Sequence, residues 1–174
     1  GQINLSDVVA RLNLMKNDYF VVSAHREENI DLNDNFEVLA ASLNAVAEKY
    51  QKPIIFSTHP RTKNRIVKNK IKFHPLIINI PPLGFFDYVN LQKNAFVVLS
   101  DSGTISEESG MIGFPAVSIR TSTERPEAVD AGTIVLGGIS TDQILNSIEI
   151  TKGLAINKNT DLPWEYNVIN TSER

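Results

Sequence analysis

Six short runs of strand-forming residues, each followed by a segment of helical period, constrain this chain more than any other feature. The runs occupy residues 19–24, 52–59, 76–80, 95–100, 114–119 and 133–138. They are close to continuously apolar ("YFVVSA", "AFVVLS"), the pattern of strands covered on both faces. Between them, "NDNFEVLAASLNAVAEKY" sets Phe36, Leu39, Leu43, Val46 and Ala47 at helical spacing. The segment 60–71 is polar and basic and reads as a short surface helix. In 85–94, Phe86, Val89 and Leu91 are available for packing. Segments 104–113, 125–132 and 140–153 complete the alternation, with end signals at Gly113, Pro126 and Ser140 or Thr141. A further helical pattern, "LSDVVARLNLM", precedes the first strand. Strands alternating with helices predict an α/β fold with a doubly wound parallel sheet. The domain is expected over 1–156, with 157–174 as a tail leaving it.

With 174 residues the chain is long enough for one domain with its own core. The net charge of −3 argues against a nucleic-acid binder that relies on a broad basic surface. There are no cysteines, which removes disulfides, thiolate zinc sites and cysteine nucleophiles. No carboxylate and histidine cluster has metal-ligand spacing, and neither a Walker loop nor a G-x-S-x-G elbow occurs. No apolar run approaches a membrane span and no signal peptide opens the chain, so a cytoplasmic location is the default expectation. The start at Gly1 and the ending "NTSER" suggest a piece of a longer protein.

In doubly wound sheets, ligands bind beyond the carboxyl ends of the strands. Four strand exits here are rich in Arg, His and hydroxyl side chains: "SAHREEN", "STHPRT", "SDSGT" and "SIRTSTERPE". In "SDSGTISEE", Gly103 permits close approach to the main chain, and Ser102 adds a hydroxyl at a helix start where N–H groups favour an anion. The same residues also suit a plain strand-to-helix turn. Thr104 and Glu107 have the spacing of a capping box, which gives Glu107 a structural role and leaves Glu108 without one. Glu108 could accept hydrogen bonds from a ribose, or be a solvated helix residue. His25 can exchange a proton near neutral pH and Arg26 can fork onto phosphate. Arg120 and Arg125 could neutralise a diphosphate, or be satisfied by Glu124 and Glu127. His59 reads first as a structural residue. Of Phe85, Phe86 and Tyr88, one ring could stack on a base.

"HREEN", "SDSGTISEES" and "TERPEA", in that order, resemble the C-terminal half of the non-hydrolysing UDP-N-acetylglucosamine 2-epimerases. The resemblance implies a Rossmann-like UDP-binding domain, one half of a GT-B two-domain architecture, with the active site in the cleft between the halves. The tail at 157–174 would then return toward an N-terminal domain. By the same resemblance, His25 is catalytic and lies at the diphosphate. Ser102 and Gly103 form the diphosphate turn, and Arg125 serves the same group. Glu108 binds the ribose, and Tyr88 stands where the family usually stacks a phenylalanine on uracil. Arg26 and His59 match a site for a second, activating UDP-sugar. No cofactor is implied, and a homodimer is expected for the whole protein.

The commoner motif S-D-S-G-G-x-Q-E-E is altered at Thr104 and Ser106, and the commoner H-R-R-E-N is H-R-E-E-N here. These variants look more like the subgroup that forms UDP-N-acetyl-L-fucosamine from its L-talo epimer, a capsule or O-antigen precursor. The implied chemistry is loss of the C2 proton and of UDP to a 2-acetamidoglycal, then re-addition. The family's acid and base carboxylates belong to the N-terminal domain, so this chain alone is expected to be inactive. Alternatives are a UDP-N-acetylmannosamine-forming epimerase, a GT-B glycosyltransferase donor domain, and a sugar-nucleotide sensor without chemistry.

Overall fold

In the computed structural model of the chain, the described residues are 2–26, 29, 35–120 and 135–156. A 3-10 turn (Gln2–Leu5) and a single α-turn, α1 (Val8–Arg11), lead into β1 (Phe20–Ser23). Then follow α2 (Asn35–Tyr50), β2 (Ile54–Ser57), α3 (Pro60–Lys68), β3 (Ile77–Ile80) and α4 (Phe85–Lys93). The remaining elements are β4 (Val97–Ser100), α5 (Ile105–Ile112), β5 (Ala116–Ser118), β6 (Val135–Leu136) and α6 (Thr141–Ile156). The expected tail, and the expected helix at 125–132, lie outside the described residues.

The strands form one sheet in the order β3-β2-β1-β4-β5-β6, and every neighbouring pair is parallel. This is the Rossmann-like doubly wound order, with the chain reversing direction across the sheet between β1 and β4. Successive side chains of a strand point to opposite faces. Phe20 and Val22 therefore join α2 and α6 in one core, with Leu39, Leu43, Val46, Ile144 and Ile148 fully buried. Val21 and Val98 face the other core, with Val8, Leu91 and Ile105 from α1, α4 and α5. Tyr19 is fully buried there; its hydroxyl donates to the Leu91 carbonyl at 2.7 Å, and burial pushes its phenol well above the usual range.

Several boundaries differ from the sequence expectation. The first helix does not run from 5 to 15. It stops at Arg11 because Asn13 takes a left-handed conformation, φ 52°. Leu14 N–H then bonds the Val9 carbonyl and Asn13 N–H the Ala10 carbonyl, a Schellman closure with Asn in the glycine position. The helix expected over 60–71 ends at Lys68 in the same way, with Lys70 at φ 51° and Ile71 N–H bonded to the Ile66 carbonyl. β3 is an edge strand whose Ile78 and Asn79 are exposed, so its apolar run is not covered on both faces. Phe86 does not pack into the core: it is 47% exposed and meets Phe85 edge-on at 5.6 Å, while Val89 and Leu91 turn inward.

Candidate functional site

Because β1 and β4 are neighbours, with Ser23 opposite Ser100, the "HRE" and "DSGT" segments leave the sheet side by side. Asp101 joins them. It is fully buried, and its carboxylate accepts from His25 N–H (2.9 and 3.2 Å), Arg26 N–H (2.9 Å) and the Asn29 side-chain amide (3.1 Å). The Arg26 Nε–H returns a bond to the Asp101 carbonyl at 2.9 Å. The Asn29 amide also donates to the Ile119 carbonyl at 3.1 Å, which ties in the exit of β5. One buried carboxylate thus fixes three strand exits relative to one another, using hydrogen bonds strengthened by its charge.

The imidazole of His25 is exposed, with Nε2 2.6 Å from the Ser23 hydroxyl. Ser23 also hydrogen-bonds the Tyr88 phenol, which burial pushes above its ordinary range; the charges of Glu108 and Asp101 add to the rise, and the Ser23 bond opposes it. Tyr88, Ser23 and His25 therefore stand together at the switch point, where the charges of Glu108 and Asp101 both act on the phenol. In the turn between β4 and α5, Ser102 N–H donates to the Ser100 hydroxyl at 3.1 Å. Thr104 N–H donates to the Ser102 hydroxyl at 3.3 Å, and the two hydroxyls are 3.0 Å apart. Gly103 lies between them. α5 closes on Gly113 in the left-handed region, φ 81°, as its sequence position suggests.

The expected capping box is not formed. Thr104 is the N-cap residue of α5, but at φ −93°, ψ 0° it lacks the extended backbone that lets a cap side chain fold back onto the first turn. Its hydroxyl instead donates to Glu108 Oε1 at 2.7 Å. Glu108 Oε2 accepts from the Gln92 amide at 3.0 Å. Glu108 is thus held by two side chains from different elements, and Glu107 contacts the Ser106 hydroxyl at 3.3 Å. His59 caps α3: its backbone is extended, Pro60 occupies the first turn, and Nδ1 accepts from Arg61 N–H at 3.4 Å. That is the structural role open to it from sequence. Arg120 is buried just after β5. Arg125 lies outside the described residues.

The structure therefore gathers His25, Arg26, Tyr88, Ser102, Gly103 and Glu108 around the switch point, while His59 stands one strand further out, beyond β2. Ser23, Asn29, Asp101 and Gln92 were not singled out from sequence. Asp101 and Asn29 lie within the quoted motifs; the only signal was a carboxylate directly after a buried strand. A groove of about 570 Å³ lies elsewhere, along α3 and the exit of β3, lined by Thr58, Lys63, Asn79 and Pro81 among others. None of the switch-point residues lines it, and its walls are mostly apolar. No group of three or more His, Asp or Glu among the described residues could hold a metal ion. No helix among them is long and apolar enough to cross a membrane.

Comparison with known proteins gives a consistent result. A family described as UDP-N-acetylglucosamine 2-epimerase matches residues 2–174. The chain is 38% identical over 159 residues to the UDP-N-acetylglucosamine 2-epimerase of Methanococcus maripaludis, covering 87% of this chain and 42% of that protein. The structure of the Rickettsia bellii UDP-N-acetylglucosamine 2-epimerase superposes with a TM-score of 0.82 at 36% identity, covering 95% of this chain and 44% of that one. The Methanocaldococcus jannaschii UDP-GlcNAc 2-epimerase, solved in complex with UDP-GlcNAc and UDP, gives 0.77 at 34% identity, covering 91% and 44%. The chain thus spans less than half the length of these relatives.

Proposed function

Because the chain belongs to the UDP-N-acetylglucosamine 2-epimerase family, we propose that it is the UDP-holding part of an enzyme that inverts C2 of a UDP-N-acetyl-aminosugar. One observation carries this reading. The β1 and β4 exits meet at the switch point, where Asp101 sets His25 and Arg26 beside the Ser102–Thr104 turn, with Tyr88 and Glu108 alongside. Main-chain N–H groups at a helix start, a hydroxyl and an imidazole suit a diphosphate. An aromatic ring and a carboxylate suit uracil and ribose. Arg125 belongs with the diphosphate group by its motif.

In the proposed reaction a base removes the C2 proton. The electron pair forms the C1–C2 double bond as the C1–O bond to the diphosphate breaks, giving a 2-acetamidoglycal and UDP. Protonation of C2 on the opposite face and return of the diphosphate oxygen to C1 complete the inversion. Negative charge grows on the leaving diphosphate, so donors already aimed at it lower the barrier without reorganising. Holding UDP in place keeps its return effectively unimolecular. The acid and base carboxylates would come from the rest of the whole protein, in a GT-B arrangement, and this chain alone would not turn over. The Thr104 and Ser106 variants favour a UDP-6-deoxy-L-aminosugar, hence UDP-N-acetyl-L-fucosamine for a capsule or O-antigen. Arg26 and His59 would serve a second, activating nucleotide, in a cytoplasmic homodimer.

The test has two stages. The chain is titrated calorimetrically with UDP, and the whole protein is incubated in heavy water with UDP-aminosugars and no acceptor. Deuterium entering C2 with the nucleotide sugar intact is the expected result. A new glycosidic bond would point to a transferase, and free sugar plus UDP to a hydrolysing enzyme. No UDP binding by the chain would remove the nucleotide reading itself.

A further inference from the structure

Glu108 is held through both carboxylate oxygens by side chains alone. Thr104 donates to Oε1 at 2.7 Å and Gln92 to Oε2 at 3.0 Å. The two donors come from different elements, the N-cap of α5 and the buried face of α4. The Thr104 hydroxyl has a single proton. With that proton on Glu108, the 3.0 Å contact to Ser102 makes Ser102 the donor, so the three groups form a chain, Ser102 to Thr104 to Glu108. Gln92 is only 1% exposed, and its Oε1 has no hydrogen-bond partner among the described residues. A buried amide with one acceptor unmatched is costly to keep, since an apolar side chain of the same shape would avoid the desolvation. Its one described bond is to Glu108. The residue makes physical sense as a tether for that carboxylate rather than as packing.

We propose that Gln92 and Thr104 are positioning residues that lock the Glu108 carboxylate in the orientation needed to accept both hydroxyls of a ribose cis-diol. An ionised carboxylate has about four acceptor sites, two on each oxygen. The two tethers use one site per oxygen and leave one on each, a pairing that matches two adjacent O–H donors. Preorganisation matters because a free Glu side chain must otherwise give up rotamer freedom on binding. The hydroxyl chain also links this carboxylate to the Ser102 turn, so ribose and diphosphate would be read by one connected unit. This inference rests on the nucleotide reading given above and adds to it a ribose-selective device.

The experiment compares UDP with 2′,3′-dideoxy-UDP by calorimetry, on the chain and on its Gln92→Met, Thr104→Val and Thr104→Ser variants, with thermal melts alongside. The unaltered chain should prefer UDP by about tenfold or more, the scale of hydrogen bonds to a charged acceptor. Gln92→Met should cut that ratio several-fold while leaving the melting temperature unchanged or higher. Thr104→Val should also cut it, and Thr104→Ser should restore it. A ratio unchanged in both Gln92→Met and Thr104→Val overturns the proposal, even if overall affinity falls, since a merely structural role weakens both ligands alike. If Gln92→Met does not fold, the Thr104 pair decides. An unaltered chain that binds both nucleotides equally refutes the ribose device alone; one that binds neither refutes the nucleotide reading as well.

Discussion

Replacing Asp101 by Asn keeps the shape of the side chain and removes its charge, and should cost about 2–3 kcal/mol. Oδ2 accepts from His25 N–H and Arg26 N–H at 2.9 Å and from the Asn29 amide at 3.1 Å; Oδ1 takes a second, longer approach from His25 N–H at 3.2 Å. Asparagine retains one acceptor oxygen, so these bonds survive as neutral ones. A hydrogen bond to a charged group contributes about 1.5–3 kcal/mol against about 0.5–1.5 for a neutral one. Three donors losing roughly 1 kcal/mol each give an upper figure of about 3. The new amide N–H₂ also points at the His25 N–H that Oδ1 faced. Because His25 is exposed, its backbone can partly recover by shifting toward water, which brings the lower figure to about 2. For a domain of this size 1 kcal/mol is worth roughly 2–4 °C, so the melting temperature should drop by about 4–12 °C. Asp101→Ala should be worse, since it strands all three donors. UDP affinity should fall in both variants as the His25–Arg26 segment loosens. Thermal melts and calorimetric titration of UDP read the two effects. An Asn variant melting within about 2 °C of the parent, with UDP affinity intact, would refute the idea that this carboxylate organises the site.

Two further outcomes are expected. Gly113→Ala should destabilise by about 1 kcal/mol, because φ 81° is left-handed and nothing lies within 4 Å of the added methyl to compensate or to clash; melts or denaturant curves would show it. Glu149 accepts from the Tyr50 hydroxyl at 2.5 Å and pairs with Lys152 and Lys49, and its carboxyl is pulled down to about 2, chiefly by the Tyr50 bond. A depressed carboxyl stabilises the fold above its unfolded pKa and loses that contribution as pH falls toward its folded value. Glu149→Gln should therefore be slightly less stable than the parent above about pH 4.5, by about 0.5 kcal/mol or less for so exposed a group, and the gap should close toward pH 2. A gap that widened on acidification would contradict the assignment.

Much of the fold was legible in the residues themselves. The alternation of apolar runs with helical-period segments located the described strands and most helices, and Gly113 marked the end of α5. The helix ends at Arg11 and Lys68, closed by left-handed Asn13 and Lys70, are not legible in the sequence, because a non-glycine residue enters the left-handed region only when the closing hydrogen bonds and local packing make up the strain. The spacing of Phe86 suggests a packing residue, but spacing does not say where the core ends. Within the site, T-x-x-E suggested a capping box, but the choice between Glu107 and Glu108 depends on the backbone angles of Thr104 and on Gln92 standing opposite.

Sequence alone determined that the chain builds a parallel α/β sheet and that Arg, His and hydroxyl side chains gather at its strand exits, because strand period, helix period and loop chemistry are local properties of neighbouring residues. Tertiary structure alone decided that β1 lies next to β4. That adjacency lets Asp101 reach His25, Arg26 and Asn29, and it brings Tyr88 and Glu108 to the same edge. Strand order follows from how helices cover both faces of the whole sheet, a packing problem that no short stretch of residues encodes.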